Sequence, residues 1–244
     1  MKFDLLGICF DKTQTLRKGA SKAPFLLRKV FPKLETYVSE IDLSQFFVRD
    51  LGDIYPRNLE DMENKLNKVN FNSFPIVLGG EHSISYFVVK KIKPQIVVHV
   101  DAHPDLEDKE DHTGVLRKIG KEIGFKNIFI YGVRTTSKAE AKFIKENKIK
   151  IAKLSDLAKI NKKTYLSIDF DVLDPSILSS VGNPEPDGLT FKSVIDVVRV
   201  LARNLIGIDF VEFTPDKNYV NNIIAGKLIY SSLAEIIKAQ QALP

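Results

Sequence analysis

An α/β fold is what this sequence predicts: one three-layer α/β/α domain spanning residues 1–244, with a mostly parallel sheet of about eight strands. Three observations lead there. Short runs rich in Val and Ile recur along the chain, with patterns of helical period between them. Several runs, such as QIVVHV at 95–100, are apolar almost without alternation, as strands covered on both faces are. No linker, repeat or low-complexity tract breaks the alternation, so the chain reads as one domain.

The elements follow in order. The apolar run LLGICF predicts a strand at Leu5–Phe10, and a helix is expected over 22–31. A strand at Tyr37–Ile41 precedes a helix over 58–70, for which Asn58 is a suitable N-cap. The strand Ile76–Leu78 leads to a helix over 82–92, and the strand Ile96–Val100 to a helix over 114–123. Then come the strand Ile128–Tyr131, a helix over 137–147 capped by Ser137, and strands at Lys150–Ala152 and Tyr165–Ile168. A helix over 190–203 capped by Thr190, the strand Ile206–Phe210 and a helix over 220–240 complete the pattern.

Composition removes several function classes. The single cysteine, Cys9, allows no disulfide framework and reads as a small buried hydrophobe on a strand. No apolar run approaches the ~20 residues of a membrane helix. The N-terminus MKFDLLGICF has Asp4 inside its apolar stretch and no small-residue cleavage site, so no signal peptide is expected and the protein is expected in the cytoplasm. The net charge of +5 comes from scattered lysines and arginines, with no stripe or stacking motif for nucleic acid.

In sheets of this kind ligands bind beyond the carboxyl ends of the strands. There the sequence places Gly79-Gly80-Glu81-His82, Asp101-Ala102-His103-Pro104-Asp105, Asp169-Phe170-Asp171 and Asp209-Phe210-Val211-Glu212. A lone Asp at a strand end is commonly a cap and a lone His commonly structural. Paired spacing is different, because residues i and i+2 of an extended chain face one side, so Asp101 with His103 and Asp169 with Asp171 can converge. So many carboxylates together call for a cation, and mixed carboxylate and imidazole ligands suit a transition metal such as Mn²⁺ better than Ca²⁺. His99 lies inside its strand and reads as a buried, hydrogen-bonded histidine rather than a ligand.

These motifs, G-G-E-H at 79–82, D-A-H-P-D at 101–105 and S-I-D-F-D-V-L-D-P at 167–175, resemble those of the ureohydrolase family of arginases, agmatinases and related amidinohydrolases. Gly7, Asp11, Arg17, Gly19-Ala20 and Pro24 are similar to its N-terminal segment, and G-V-R at 132–134, G-L-T at 188–190 and D-F-V-E at 209–212 to its later blocks. The resemblance implies the arginase/deacetylase-like form of the fold, a homo-oligomer (trimer or hexamer) and two Mn²⁺ ions per subunit. It implies that His82 and Asp105 bind one ion, His103 and Asp171 the other, and that Asp101 and Asp169 bridge them. It further implies a small guanidino substrate held by Glu212, a proton taken up by Asp105, and a proton passed to the leaving amine by His112. The segment before His112 is shorter than the family pattern, and Thr113 stands where a small residue usually follows the histidine.

The loop after Asp105 carries Glu107, Asp108, Glu110 and Asp111, where arginases have residues that hold the substrate's carboxylate, and Ser137 replaces an arginase acidic residue. Acidic residues there would repel a carboxylate and tolerate an ammonium. Agmatine, hydrolysed to putrescine and urea, is therefore the expected substrate. Arginine, guanidinobutyrate and formiminoglutamate are the alternatives, and a metal-binding homologue without activity is the alternative of another class.

Overall fold

The first apolar run forms β1 (Lys2–Ile8), buried from Phe3 onward, and the sheet grows on both sides of it. The structure, a computed structural model, describes residues 1–242. After α1 (Ala23–Val30), β2 (Tyr37–Val38) and β3 (Ile41–Asp42) pair only with each other, as a small antiparallel hairpin outside the main sheet. Next come β4 (Phe47–Ile54), α2 (Leu59–Asn67), β5 (Phe74–Gly79), α3 (Ile84–Ile92), β6 (Ile96–Val100) and α4 (Val115–Ile123). They are followed by β7 (Ile128–Tyr131), α5 (Lys138–Asn147), β8 (Lys150–Ile151), α6 (Leu154–Leu157), β9 (Thr164–Asp169), α7 (Phe191–Leu201), β10 (Leu205–Val211) and α8 (Tyr219–Gln241).

Eight strands make the main sheet in the order β4-β1-β5-β10-β9-β6-β7-β8. Every neighbouring pair is parallel. Alternate side chains of each central strand enter cores on opposite faces, which is why the runs look continuously apolar. Ile76 and Leu78, Val98 and Val100, and Leu166 and Ile168 pack under α1, α7 and α8, whereas Val77, Val97 and Tyr165 pack under α2, α3 and α4. Asn58, Ser137 and Thr190 cap α2, α5 and α7, each side chain accepting from the backbone N–H three residues on.

The main sheet differs from expectation at two places. Tyr37–Ile41 is not a strand of the sheet, and the eighth strand is β4, which the reading passed over. β4 lies at the sheet edge, and its sequence FVRDLGDI carries charge because one side of it meets water. The charges tie it inward: Arg49 donates to Asp4 at 2.9 and 2.8 Å, and Arg28 of α1 pairs with Asp50 at 2.8 Å and with Asp53. Cys9 is buried as expected but lies just past β1, and burial pushes its thiol up to about 12.

Candidate metal centre and active site

Four adjacent central strands, β5, β10, β9 and β6, end on one rim and deliver the candidate residues. β5 ends at Gly79-Gly80. A Cβ on Gly80 would lie 1.9 Å from the Phe10 carbonyl oxygen, because the segment after β1 crosses here. Gly80 N donates to Ile8 O and Glu81 N to Phe10 O, which fixes His82 above the rim. Asp105 and Glu212 adopt left-handed backbone conformations, φ 49° and 64°. Such strained positions cluster at functional sites, and here they accompany two inward-turned carboxylates.

His82, Asp101, Asp105, Asp169 and Asp171 are all buried, and the His103 side chain is 21% exposed. The Nδ1 of His82 stands 3.0 Å from Asp101, 3.3 Å from Asp105 and 3.1 Å from Asp169. The Nδ1 of His103 stands 2.9 Å from Asp171 and 3.5 Å from Asp101. Asp101 is thus common to two clusters of possible ligand atoms, one around His82 and one around His103. Backbone donors fix the carboxylates: Asp101 accepts from His103 N at 2.6 Å, Asp169 from Asp171 N at 2.7 Å and Asp171 from Ala102 N at 3.2 Å.

A layer beneath sets the face that His82 presents. Asp209 is not on the rim but within β10, fully buried, where it accepts from Tyr165 Oη at 2.8 Å and Ser167 Oγ at 2.6 Å. Ser167 Oγ donates its one hydrogen to Asp209, so it accepts from His82 Nε2 at 2.9 Å. Nδ1 is left facing three carboxylates, as a ligand nitrogen among ligand oxygens.

The electrostatics ask for a cation. Burial, reinforced by the neighbouring aspartates, pushes Asp105 and Asp169 well above the usual carboxylate range. Burial alone would push His103 down, but Asp101 and Asp171 overcome it and hold the imidazole up to about 12. Among the described residues no lysine or arginine pairs with Asp101, Asp105, Asp169 or Asp171. Asp101 Oδ2 is buried without a hydrogen bond. Divalent cations fit this donor set: they would fill the orphaned acceptor and balance carboxylates that otherwise compete for protons.

His99 departs from its reading as a hydrogen-bonded core histidine. Its ring stacks on His82 with centroids 4.5 Å apart, and neither ring nitrogen makes a hydrogen bond. Its Nε2 lies 2.9 Å from the orphaned Asp101 oxygen, close but misaligned.

A cleft of about 280 Å³ opens over the cluster, with His103, Asp105, Asp169, Asp171, His112 and Glu212 in its wall. Glu212 accepts from His82 N at 2.7 Å and from Gln14 Nε2, and burial pushes it up to about 8. It lines the cleft, which is large enough for a guanidinium.

The model of the arginase family matches residues 1–234, nearly the whole chain and every strand of the rim. The chain belongs to the arginase family. It is 33% identical over 265 aligned residues to the N(1)-aminopropylagmatine ureohydrolase of Thermococcus kodakarensis, covering 97% of this chain and 91% of that one. It is 32% identical to the agmatinase of Pyrococcus horikoshii, covering 93% and 89%. The crystal structure of the agmatine ureohydrolase of Thermoplasma volcanium superposes with a TM-score of 0.88 at 29% identity, covering 98% of this chain and 91% of that one.

In this arginase-family chain the short loop before His112 closes by a tight turn. A Cβ on Gly114 would come within 2.2 Å of Lys109 O, so the glycine one place later than the family pattern permits the shortcut. The acidic-loop reading narrows here. Asp108 pairs with Arg117, Glu110 pairs with Lys118, and Asp111 accepts from Thr113, so these three face away or outward. Only Glu107 of the four lines the cleft, together with Lys109 and Glu140. Ser137 donates to Glu107 at 2.7 Å, so the position where arginases carry an acid is occupied by an acid from the loop.

Five residues given no role by the sequence complete the site. Thr13 and Gln14 reach it from the segment after β1, and Glu81 anchors both of their backbone N–H groups at 2.6 and 3.1 Å. Asn183 lies 2.9 Å from His103 Nε2. Arg134 donates to the carbonyls of Asp171, Val172, Glu185 and Pro186, clamping the loop after β9 over the cluster. Of these, Glu81 stood in the G-G-E-H motif and Arg134 in the G-V-R block.

Proposed function

We propose that the chain is an agmatinase-like amidinohydrolase with two Mn²⁺ ions per subunit. The observation that carries the reading is the convergence of His82, His103, Asp101, Asp105, Asp169 and Asp171 below a cleft walled by Glu212. In this reading His82 and Asp105 hold one ion and His103 and Asp171 the other, with Asp101 and Asp169 shared. When bound, divalent ions would acidify a water molecule and so supply the nucleophile at neutral pH. Glu212 pairs with the planar guanidinium and turns its carbon toward the cluster. Asp105 accepts the proton that the attacking water gives up. His112 takes up a proton at its cleft-facing nitrogen and passes it to the departing amine nitrogen, and the products are urea and a primary amine.

Glu107 supports agmatine over arginine, because an acid at the cleft wall favours an ammonium over a carboxylate. It equally suits agmatine lengthened by an aminopropyl group, the compound for which the Thermococcus relative is named. The same reading carries a trimeric or hexameric assembly acting on polyamine precursors in the cytoplasm.

The test is urea release by Mn²⁺-reconstituted protein given agmatine, N(1)-aminopropylagmatine and arginine side by side, with a chelated control. Metal-dependent release from either agmatine compound but not arginine is expected. Release from arginine would overturn the role of Glu107. Bound metal with no release from any of them would mark a homologue without this activity.

A further inference from the structure

We infer that Glu81, acting through the Thr13 hydroxyl, fixes His112 in the tautomer that carries its hydrogen on Nδ1 and presents the Nε2 lone pair to the cleft. Thr13 and Glu81 are then positioning residues for the proton-transfer histidine, a consequence that rests on the function proposed above. The tautomer itself does not.

Donors and acceptors decide the tautomer. Glu81 is fully buried and takes four donors: Thr13 Oγ1 and Ser83 Oγ, each at 2.6 Å, on Oε1, and Thr13 N at 2.6 Å and Gln14 N at 3.1 Å on Oε2. A carboxylate only accepts, so the single hydroxyl proton of Thr13 is committed to it. The Thr13 oxygen then accepts from His112 N at 3.1 Å and stands 3.3 Å from His112 Nδ1. Having no second proton, it meets Nδ1 only as an acceptor, and Nδ1 must carry the hydrogen. Burial also pushes His112 below the usual histidine range, which favours the neutral ring whose tautomer the hydroxyl selects.

The three residues come from distant parts of the chain: the crossing after β1, the end of β5 and the loop before α4. The backbone bond from His112 N to the same oxygen locks the ring's approach, so the hydroxyl sets both place and tautomer.

The experiment is nuclear magnetic resonance of ¹⁵N-labelled protein loaded with diamagnetic Mg²⁺, with His112 assigned by its loss in His112→Gln. The wild type should show a protonated Nδ1 and an unprotonated Nε2. Thr13→Ser should keep that pattern, and Thr13→Val, nearly isosteric, should lose the preference. With Mn²⁺ and the best guanidino substrate, Thr13→Val should lower kcat about tenfold, a small part of the roughly 10²–10⁴ a positioned acid–base group contributes, with KM and bound metal unchanged. Thr13→Ser should restore kcat. A hydrogen on Nε2 in the wild type, or a tautomer indifferent to Thr13→Val, overturns the inference. The expected tautomers with no urea release from the wild type would uphold it and overturn the proposed function instead.

Discussion

Glu212 reaches the cleft with both carboxylate oxygens already steered, one by the backbone of His82 and the other by Gln14. That arrangement separates substrate binding from metal holding, since neither contact involves the aspartates. Glu212→Gln should therefore leave bound metal intact while raising KM for the guanidino substrate about ten- to a hundredfold, from the roughly 1.5–3 kcal/mol of a charged hydrogen-bonded pair. Metal content by atomic emission and steady-state kinetics on one preparation check it, and a near-normal KM would contradict the role. Gln14 explains why part of the site is invisible in sequence. Its chemistry is ordinary and its position lies in a loop, so only the fold reveals that it touches a residue 198 positions away.

At the scale of elements, two carboxylates with no catalytic place show what holds the strands and loops. Asp4 on β1 accepts from Arg49 of β4 and from the backbone N–H groups of Asn72 and Ser73 ahead of β5, so one side chain ties three neighbouring segments. Asp4→Ala should cost about 2–3 kcal/mol, less than the roughly 3–5 of a fully buried pair, because Arg49 is partly exposed. Urea unfolding measures it, and a change below about 0.5 kcal/mol would place Asp4 among indifferent surface sites. Asp174 organises the loop after β9. Hydrogen bonds from Ser176 Oγ, Gly188 N and Ser176 N lower its carboxyl from 3.8 to about 2. A folded pKa below the unfolded one gives stability that is complete above pH 3.8 and lost as pH falls through about 2. Asp174→Asn should remove that portion, so mutant and wild-type stabilities converge toward pH 2. A gap independent of pH would refute the linkage. Elements buried on both faces, such as β6 and β9, were legible because burial writes itself as apolar runs. β4 was not, because an edge strand keeps its charges. Asp4, one of those charges' partners, looked in sequence only like an interruption of an apolar stretch.

For the whole molecule, the acidic rim is a concentration of like charge built into the middle of the fold. Occupation by divalent ions should stabilise the native state by mass action, about 2.7 kcal/mol at a hundredfold excess over Kd. For a chain of this size that raises Tm by roughly 5–10 °C. Calorimetry with chelator and then with added Mn²⁺ tests it, and an unchanged Tm would argue against ions at this cluster. The paired spacings that mark the ligands were readable because every ligand ends or follows a strand. The walls of the cleft were not, because loops close them. The strand order has a bearing on biosynthesis as well. β10, made last of all the strands, lies between β5 and β9, so the two halves of the rim stay unjoined until residue 205 and beyond have left the ribosome. A nascent chain therefore has no finished ion-binding pocket to fill. Only once β10 has inserted between β5 and β9 would His82 meet the carboxylates of β6 and β9 around an ion.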